Sequence, residues 1–338
     1  MTESAATAPA VIIYDNYPGN EGHRAEYYAL MARLIGSART NSLWRALWAR
    51  QPVLDGAIEA SVWSYVALCV VRTLMGRRTA GILFRPLPLV EGKLFRLRLK
   101  RFLLQLVKPL PGVATLTILP FELEPAFARF ANGWIHDPQY WDLNYPEAVD
   151  KDRPAGPLAE EIRQAAAGRK VVSAVGRQDI DKGFAMFAQL FAQRADLRER
   201  WLFAFGGKVT EHEVGEDLRA FEAVGGLPRV RYISHEELLD LYASASAIWS
   251  CYAPDYDQAS GVFGRAIQLG LPVIVRKGSL LERTCIVEGL AHVAYDGDPA
   301  SFDPAAIPPP QDPAFAAARA RAWGAQSIER LRGYLGLA

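Results

Sequence analysis

From residue 170 to residue 294 the chain alternates short β-rich apolar runs with segments of helical length and period. The pattern predicts strands at 170–175, 201–205, 228–232, 246–250, 272–275 and near 290–294. Helices are predicted between them at 182–195, 211–222, 235–244, 259–269 and 279–287. Strands that alternate with helices in this way can pair only as a parallel sheet, with helices covering its two faces. Open sheets of this kind bind ligands in the crevice outside the carboxyl ends of their strands. The loops that follow the strands are therefore where chemistry is to be sought.

The first half is also α/β in character, though less regular. Val11–Tyr14 reads as the first strand, 16–23 as a turn-rich loop and 25–35 as a helix. The loop lacks the GxGxxG spacing of a dinucleotide turn. Residues 41–51 put Trp44 and Trp48 on one helix face bordered by Arg45, which fits either packing on the chain's own domain or contact with a lipid headgroup region. An apolar helix is expected over 58–75, strands over 80–84 and 112–119, and a basic amphipathic helix over 93–108. That helix interleaves Lys93, Arg96, Arg98, Lys100, Arg101 and Lys108 with leucine and phenylalanine. It fits either the surface helix of a sheet or a contact with an anionic membrane. The irregular aromatic stretch 132–143 closes this half. Proline-rich residues 146–157 read as a linker. The expected organisation is a first domain over 1–150, a second over 151–312, and a terminal segment 313–338 that holds the last helix.

Composition removes several functions. Half of the 338 residues are hydrophobic and the net charge is +1, which describes a globular chain without the basic excess of a nucleic-acid binder. Cys69, Cys251 and Cys285 are widely spaced and odd in number, so free buried thiols are expected in place of a disulfide or zinc framework. The five histidines show no metal-binding spacing. No signal-peptide core opens the chain, and no apolar run is long enough to span a bilayer. A cytoplasmic protein is expected, peripheral at the inner membrane face if helix 93–108 docks there.

Two loops carry anion chemistry. After strand 170–175 come Gly176-Arg177-Gln178-Asp179-Ile180-Asp181-Lys182-Gly183, with two cations just before a helix. An arginine offers a planar fork to phosphate oxygens and a lysine a point charge. After strand 246–250 comes a polar loop that ends in Ser260-Gly261 at another helix start. Helix starts present backbone N–H groups and the positive dipole end to an anion. Taken singly, each loop also reads as an ordinary turn with surface charges.

Together these motifs resemble the donor-binding half of GT-B glycosyltransferases, the group that includes sucrose-phosphate synthase and bacterial mannosyl- and glucosyltransferases (family-4-like). The resemblance rests on Gly176-Arg177 with Lys182-Gly183, Phe205-Gly206-Gly207, Glu236-Glu237-Leu238, Leu241–Ala245, and the stretch ending Leu269-Gly270-Leu271-Pro272. It implies a GT-B α/β fold, with two facing Rossmann-like domains, parallel sheets and a C-terminal helix crossing back. It implies a donor nucleotide-diphospho-sugar, UDP- or GDP-linked, with its diphosphate on Arg177 and Lys182. Gly207 would stand at a strand end of that site, and the loop at Ser234 would meet the base. The acceptor would be a glycan or a lipid-linked intermediate, as in bacterial polysaccharide synthesis, with no cofactor and no metal. The family's two glutamates, eight positions apart, are replaced here by Asp257 and Arg265. Asp257 is expected at the donor sugar, and Arg265, which cannot accept a hydrogen bond, at a hydroxyl or phosphate. Ser260-Gly261 resembles a variant turn of the group. His23, after the first strand, is the candidate for positioning substrate; His136 and Asp137 are second. The changed glutamates leave open a non-catalytic GT-B-like chain that binds nucleotide or glycan, and more faintly an epimerase on the same fold.

Overall fold

The computed structural model describes residues 9–16, 23–142 and 155–337, the side chains of 23–26 excepted. The chain forms two compact units, residues 1–138 with 322–338, and residues 139–321. Each is built on a six-stranded sheet whose strand pairs are all parallel.

In the first unit the elements run β1 (Val11–Tyr14), α1 (His23–Ile35), β2 (Ser37–Thr40), α2 (Leu43–Trp48), β3 (Val53–Asp55), α3 (Val62–Leu74), β4 (Thr79–Leu83), α4 (Leu87–Glu91), α5 (Phe95–Val107), β5 (Val113–Thr117) and β6 (Gly133–Trp134). The strand order is β2-β1-β3-β4-β5-β6. The order reverses at β1 and β3, where a ligand crevice is expected. β4 and β5 are buried along their whole length, which is why their residues are apolar, small or threonine without alternation.

A buried arginine organises one side of this unit. Arg72 of α3 is fully buried and donates to the carbonyls of Ala46, Leu47, Ala49, Gln51 and Arg78 and to the hydroxyl of Thr79. Three of those carbonyls close the last turn of α2, so a cation meets the negative end of that helix. Burial, with Arg77 nearby, lowers its pKa to about 10.

The second unit runs α6 (Pro157–Ala166), β7 (Lys170–Val175), α7 (Phe184–Gln193), α8 (Ala195–Arg200), β8 (Trp201–Gly207), α9 (Glu211–Ala223), β9 (Leu227–Val230), α10 (His235–Ala243), β10 (Ala247–Ser250), α11 (Gly261–Gln268), β11 (Val273–Arg276), α12 (Leu280–Glu288) and β12 (His292–Tyr295). Its order is β12-β11-β10-β7-β8-β9, the doubly wound order with its reversal between β7 and β10. On α7, Phe184, Phe187 and Phe191 recur at helical spacing and pack on Phe203, Phe205, Phe221 and Trp249.

The last helix, α13 (Pro313–Leu335), contributes to both units. Arg319 donates to Gln311 and to the carbonyl of Ile267 in the second. From Ala322 on it belongs to the first unit, where Trp323 stacks on His136 and the Tyr334 hydroxyl donates to Asn132.

The strands and helices expected in the second half stand where the alternation put them, within a residue or two. The first half needs correction. The helix expected over 58–75 starts only at Val62, because the hydroxyl of Ser61 accepts the Ser64 N–H and caps it. β2 and β3 were not expected. β2 reads Ser-Ala-Arg-Thr at a sheet edge, and β3 has three residues, too few to show a period. The linker expected over 146–157 falls mostly outside the described residues, since 143–154 are not among them.

Candidate functional site

At the reversal of the second sheet, the loops after β7 and β10 are locked to each other. The Ala253 N–H donates to the carbonyl of Asp181 over 3.0 Å. Gly183 opens α7 at φ +68°, and a Cβ there would lie 1.9 Å from the Cys251 carbonyl oxygen. Only glycine permits that approach. The neighbouring loop after β8 is joined in the same way: a Cβ on Gly207 would lie 1.8 Å from the Gly176 oxygen. The N–H of Gln178 donates to Lys208 over 2.8 Å.

Lys182 sits at the centre of this arrangement. Its ammonium lies 4.3 Å from the centroid of the Tyr252 ring and 4.9 Å from that of Tyr256. The Tyr252 hydroxyl is 2.5 Å from the hydroxyl of Ser260. Ser260 is the buried residue immediately before α11, and Gly261 is the first residue of that helix. The first-turn N–H groups of α11 have no carbonyl one turn earlier within the helix. A lysine ammonium, two phenol rings and a helix start therefore converge. Burial lowers the Lys182 pKa, with Tyr256 and Asp179 opposing part of the shift.

Arg177 is exposed and ion-paired with Asp179 at 2.7 Å, while the other oxygen of Asp179 accepts the Lys182 N–H. One carboxylate thus ties the Arg177 guanidinium to the backbone of Lys182. Asp257 lies farther along. Its oxygens accept the Leu280 N–H at 2.9 Å, and Arg276 approaches at 3.3 Å. Burial raises its pKa, against the pull of that N–H and of Arg276. Arg276 also donates to the Tyr252 carbonyl.

Arg265 lies within α11, one turn after Gly261, and Ser234 at the start of α10. Arg265 is buried on the face of α11 that carries Gly261, Gly264 and Gln268. A Cβ on Gly261 or Gly264 would strike Gln139, and Gln268 donates to the Gln139 carbonyl at 2.7 Å. Ser234 caps α10 at the end of the edge strand β9. Its hydroxyl accepts the Glu237 N–H while Glu237 accepts the Ser234 N–H. The sequence reading missed Tyr252, Tyr256 and Asp179. The signal available was the Tyr-x3-Tyr pair in the loop that follows β10.

The first unit holds a cavity of about 650 Å³ at the carboxyl ends of β1, β3 and β4. Ile13, Leu54, Ile82 and Met31 are among its apolar lining; Tyr27, Tyr28, Glu59, Arg85, Arg96 and Lys100 are its polar groups. Glu59 accepts the Arg85 N–H at 2.7 Å. Burial raises the Glu59 pKa and lowers that of Lys100, and each opposes the shift of the other. Tyr27 donates to Asp137. His23 opens α1 one turn before Tyr27, with its side chain outside the described residues. The His136 ring lies between Trp134 and Trp323, at centroid distances of 5.0 and 4.8 Å, and is buried.

Asp55 ends β3 at this sheet's reversal and is buried, accepting the Ala57 N–H. Burial raises its pKa to about 7, with Glu59 and Asp15 adding to the shift and the Ala57 N–H opposing it. The folded state therefore binds this proton more tightly than the unfolded chain. The associated stability is full below the ordinary carboxylate range and is lost as pH rises to about 7. Chemical denaturation across that window is expected to register the loss, and Asp55→Asn is expected to flatten it.

No family model matches this chain, and no curated protein matches it. Solved structures do. An Escherichia coli trehalose-6-phosphate protein bound with UDP-2-fluoro glucose matches with TM-score 0.58 at 9% identity, over 98% of this chain and 100% of that one. A UDP-forming α,α-trehalose-phosphate synthase from Burkholderia xenovorans, in complex with glucose-6-phosphate, matches with TM-score 0.51 at 14% identity, over 93% and 76%. The catalytic domain of Arabidopsis thaliana starch synthase IV, bound to ADP and acarbose, matches with TM-score 0.51 at 11% identity, over 93% and 78%. The fold is GT-B. At these identities the likeness fixes the fold alone, so the reading of the GT-B chain's function rests on its own residues.

Proposed function

We propose that this GT-B chain is a glycosyltransferase that takes a sugar from a nucleotide-diphospho-sugar. The donor diphosphate lies at the β7/β10 crevice of the second unit. It is held by Lys182, by Arg177, and by the N–H groups at the start of α11 behind Ser260-Gly261. The observation that carries this reading is the convergence of Lys182, Tyr252 and Ser260 on one helix start at the reversal of a doubly wound sheet. A diphosphate that leaves during sugar transfer gains negative charge. Fixed cations and backbone dipoles stabilise that charge without needing a metal. In this reading Gly207 keeps the β8 loop close enough to help form the crevice, and the Ser234 loop lies toward the base. Asp257 meets the sugar through a loop already held by Leu280 and Arg276. Arg265 supports α11 and stands where an acid would otherwise meet the ribose.

The solved relatives are described with UDP-2-fluoro glucose, with glucose-6-phosphate, and with ADP and acarbose. They support a donor of the nucleotide-sugar class; we take it as UDP- or GDP-linked, with ADP as a further choice, and take the acceptor as a glycan or a lipid-linked intermediate. The first-unit cavity suits an acceptor that has an apolar face and a head able to meet Glu59, Arg85 and Lys100. His23 would help orient it.

A second reading keeps the crevice and drops the catalysis. Asp257 is engaged by Leu280 and Arg276, and a buried Arg265 fills the second glutamate place. Such a chain would bind nucleotide without turning it over. Thermal melting with UDP, GDP, ADP and their sugars tests the first step. A ligand at ~100 times its Kd stabilises the fold by about 2.7 kcal/mol. A clear rise with at least one diphosphate is expected, and flat melting curves with all of them would refute the crevice. Slow hydrolysis of the bound donor would then favour the transferase over the silent binder.

A further inference from the structure

We propose that the outer face of α2, α3 and α5 is a docking surface for an anionic lipid bilayer. α3 packs between α2 and α5, and each helix turns its buried side inward. What α3 leaves outside is apolar, and α2 and α5 expose apolar residues beside Arg45, Arg96, Arg98 and Gln105. On α3 the exposed large residues are Trp63, Val70 and Leu74; on α5 they are Phe95, Phe102 and Leu106. Both sets have the spacing i, i+7, i+11, which at 3.6 residues per turn is a single narrow stripe. α2 adds Trp44 and Trp48, with their rings 5.4 Å apart. A surface helix normally points charge outward along such a stripe; here the stripes of α3 and α5 are apolar, and the exposed charges of α5 flank its stripe.

Nine of the fifteen exposed large hydrophobic residues among those described lie on these helices or at the cap of α5. That concentration exceeds the scatter of single apolar residues normal for a protein surface. The residues include three tryptophans, which favour the interface between headgroups and acyl chains.

Charge selects the occupant. α2, α3 and α5 contain no aspartate or glutamate. Arg45, Arg50, Lys93 and Arg98 are exposed around the stripes. A second copy of the chain would bring two acid-free basic faces together, which is repulsive. Anionic headgroups above an apolar layer match both features at once. No helix among the described residues is long and apolar enough to cross a membrane, so the contact is with the surface. The sequence suggested such a contact for helix 93–108 and for the Trp44/Trp48 face; the structure adds the α3 stripe between them.

The test is co-sedimentation of the full chain with vesicles of phosphatidylcholine alone, or of phosphatidylcholine with phosphatidylglycerol. Binding is expected to the anionic vesicles at low salt, falling several-fold as ionic strength rises toward ~0.5 M. The variant Trp63→Ser/Phe95→Ser/Phe102→Ser is expected to bind at least ~10-fold more weakly. Trp44→Ser/Trp48→Ser, on a different helix, is expected to bind more weakly too, and it keeps the test decisive should the triple variant fold poorly. Wild-type-like binding by both variants, or no binding by the wild type, overturns the proposal. So does a dimer in sedimentation velocity that the triple variant dissolves, since the face would then belong to a second copy. Nucleotide binding at the β7/β10 crevice does not enter this test, so either reading can fail without the other.

Discussion

Replacing Lys182 with methionine is expected to weaken binding of UDP, GDP or ADP, whichever the chain takes, by ~10- to 100-fold. Contacts to a charged group contribute about 1.5–3 kcal/mol, and each 1.4 kcal/mol is ~10-fold in affinity. Methionine keeps the side chain's length and its contact with the Tyr252 ring, so it removes charge more than packing. Melting without ligand should therefore change little. Isothermal calorimetry gives the affinity. Because burial lowers the Lys182 pKa, wild-type affinity should begin to fall at a pH below the ordinary lysine range, and the variant should lack that fall. An unchanged affinity in Lys182→Met would move the diphosphate away from the β7/β10 crevice.

The largest expected effect on stability lies in the other unit. Arg72→Ala is expected to destabilise the first unit by about 3–5 kcal/mol. The carbonyls of Ala46, Leu47 and Gln51 and the Thr79 hydroxyl would lose the guanidinium as a donor, while Ala49 keeps Arg77 and Arg78 keeps the Val53 N–H. Arg72→Lys should recover only part of the loss, because a point charge cannot reach groups arranged for a planar fork. Urea unfolding followed by tryptophan fluorescence measures both, since Trp44, Trp48 and Trp63 lie on the helices that Arg72 joins.

The second unit was legible because its inner strands are buried on both sides and helices recur between its strands. Each strand such as Val171–Val175 announces itself by composition. The crevice was legible for a related reason: Arg177, Lys182 and Ser260-Gly261 all follow strands of one parallel sheet. The sequence held no sign that Asp179 ties Arg177 to the Lys182 backbone or that Tyr252 carries Lys182 to Ser260, since contacts of this kind leave no period. The first half was harder because α2 has six residues and β3 has three, below the length at which periodicity speaks. Ser234 had a local signal of its own. Ser-His-Glu-Glu is a capping-box sequence, and its position after the edge strand follows from strand order, which no local pattern encodes.

The loop from Cys251 to Ser260 is fastened to Asp181 at one point, to Arg276 at a second and to Leu280 at a third. A strip of chain tied down this often has little freedom left to lose when an anion settles beside it. Capture of the nucleotide at this crevice then has the character of a simple encounter. The observed rate would climb in proportion to nucleotide concentration, with no slower rearrangement behind it to make the rate level off.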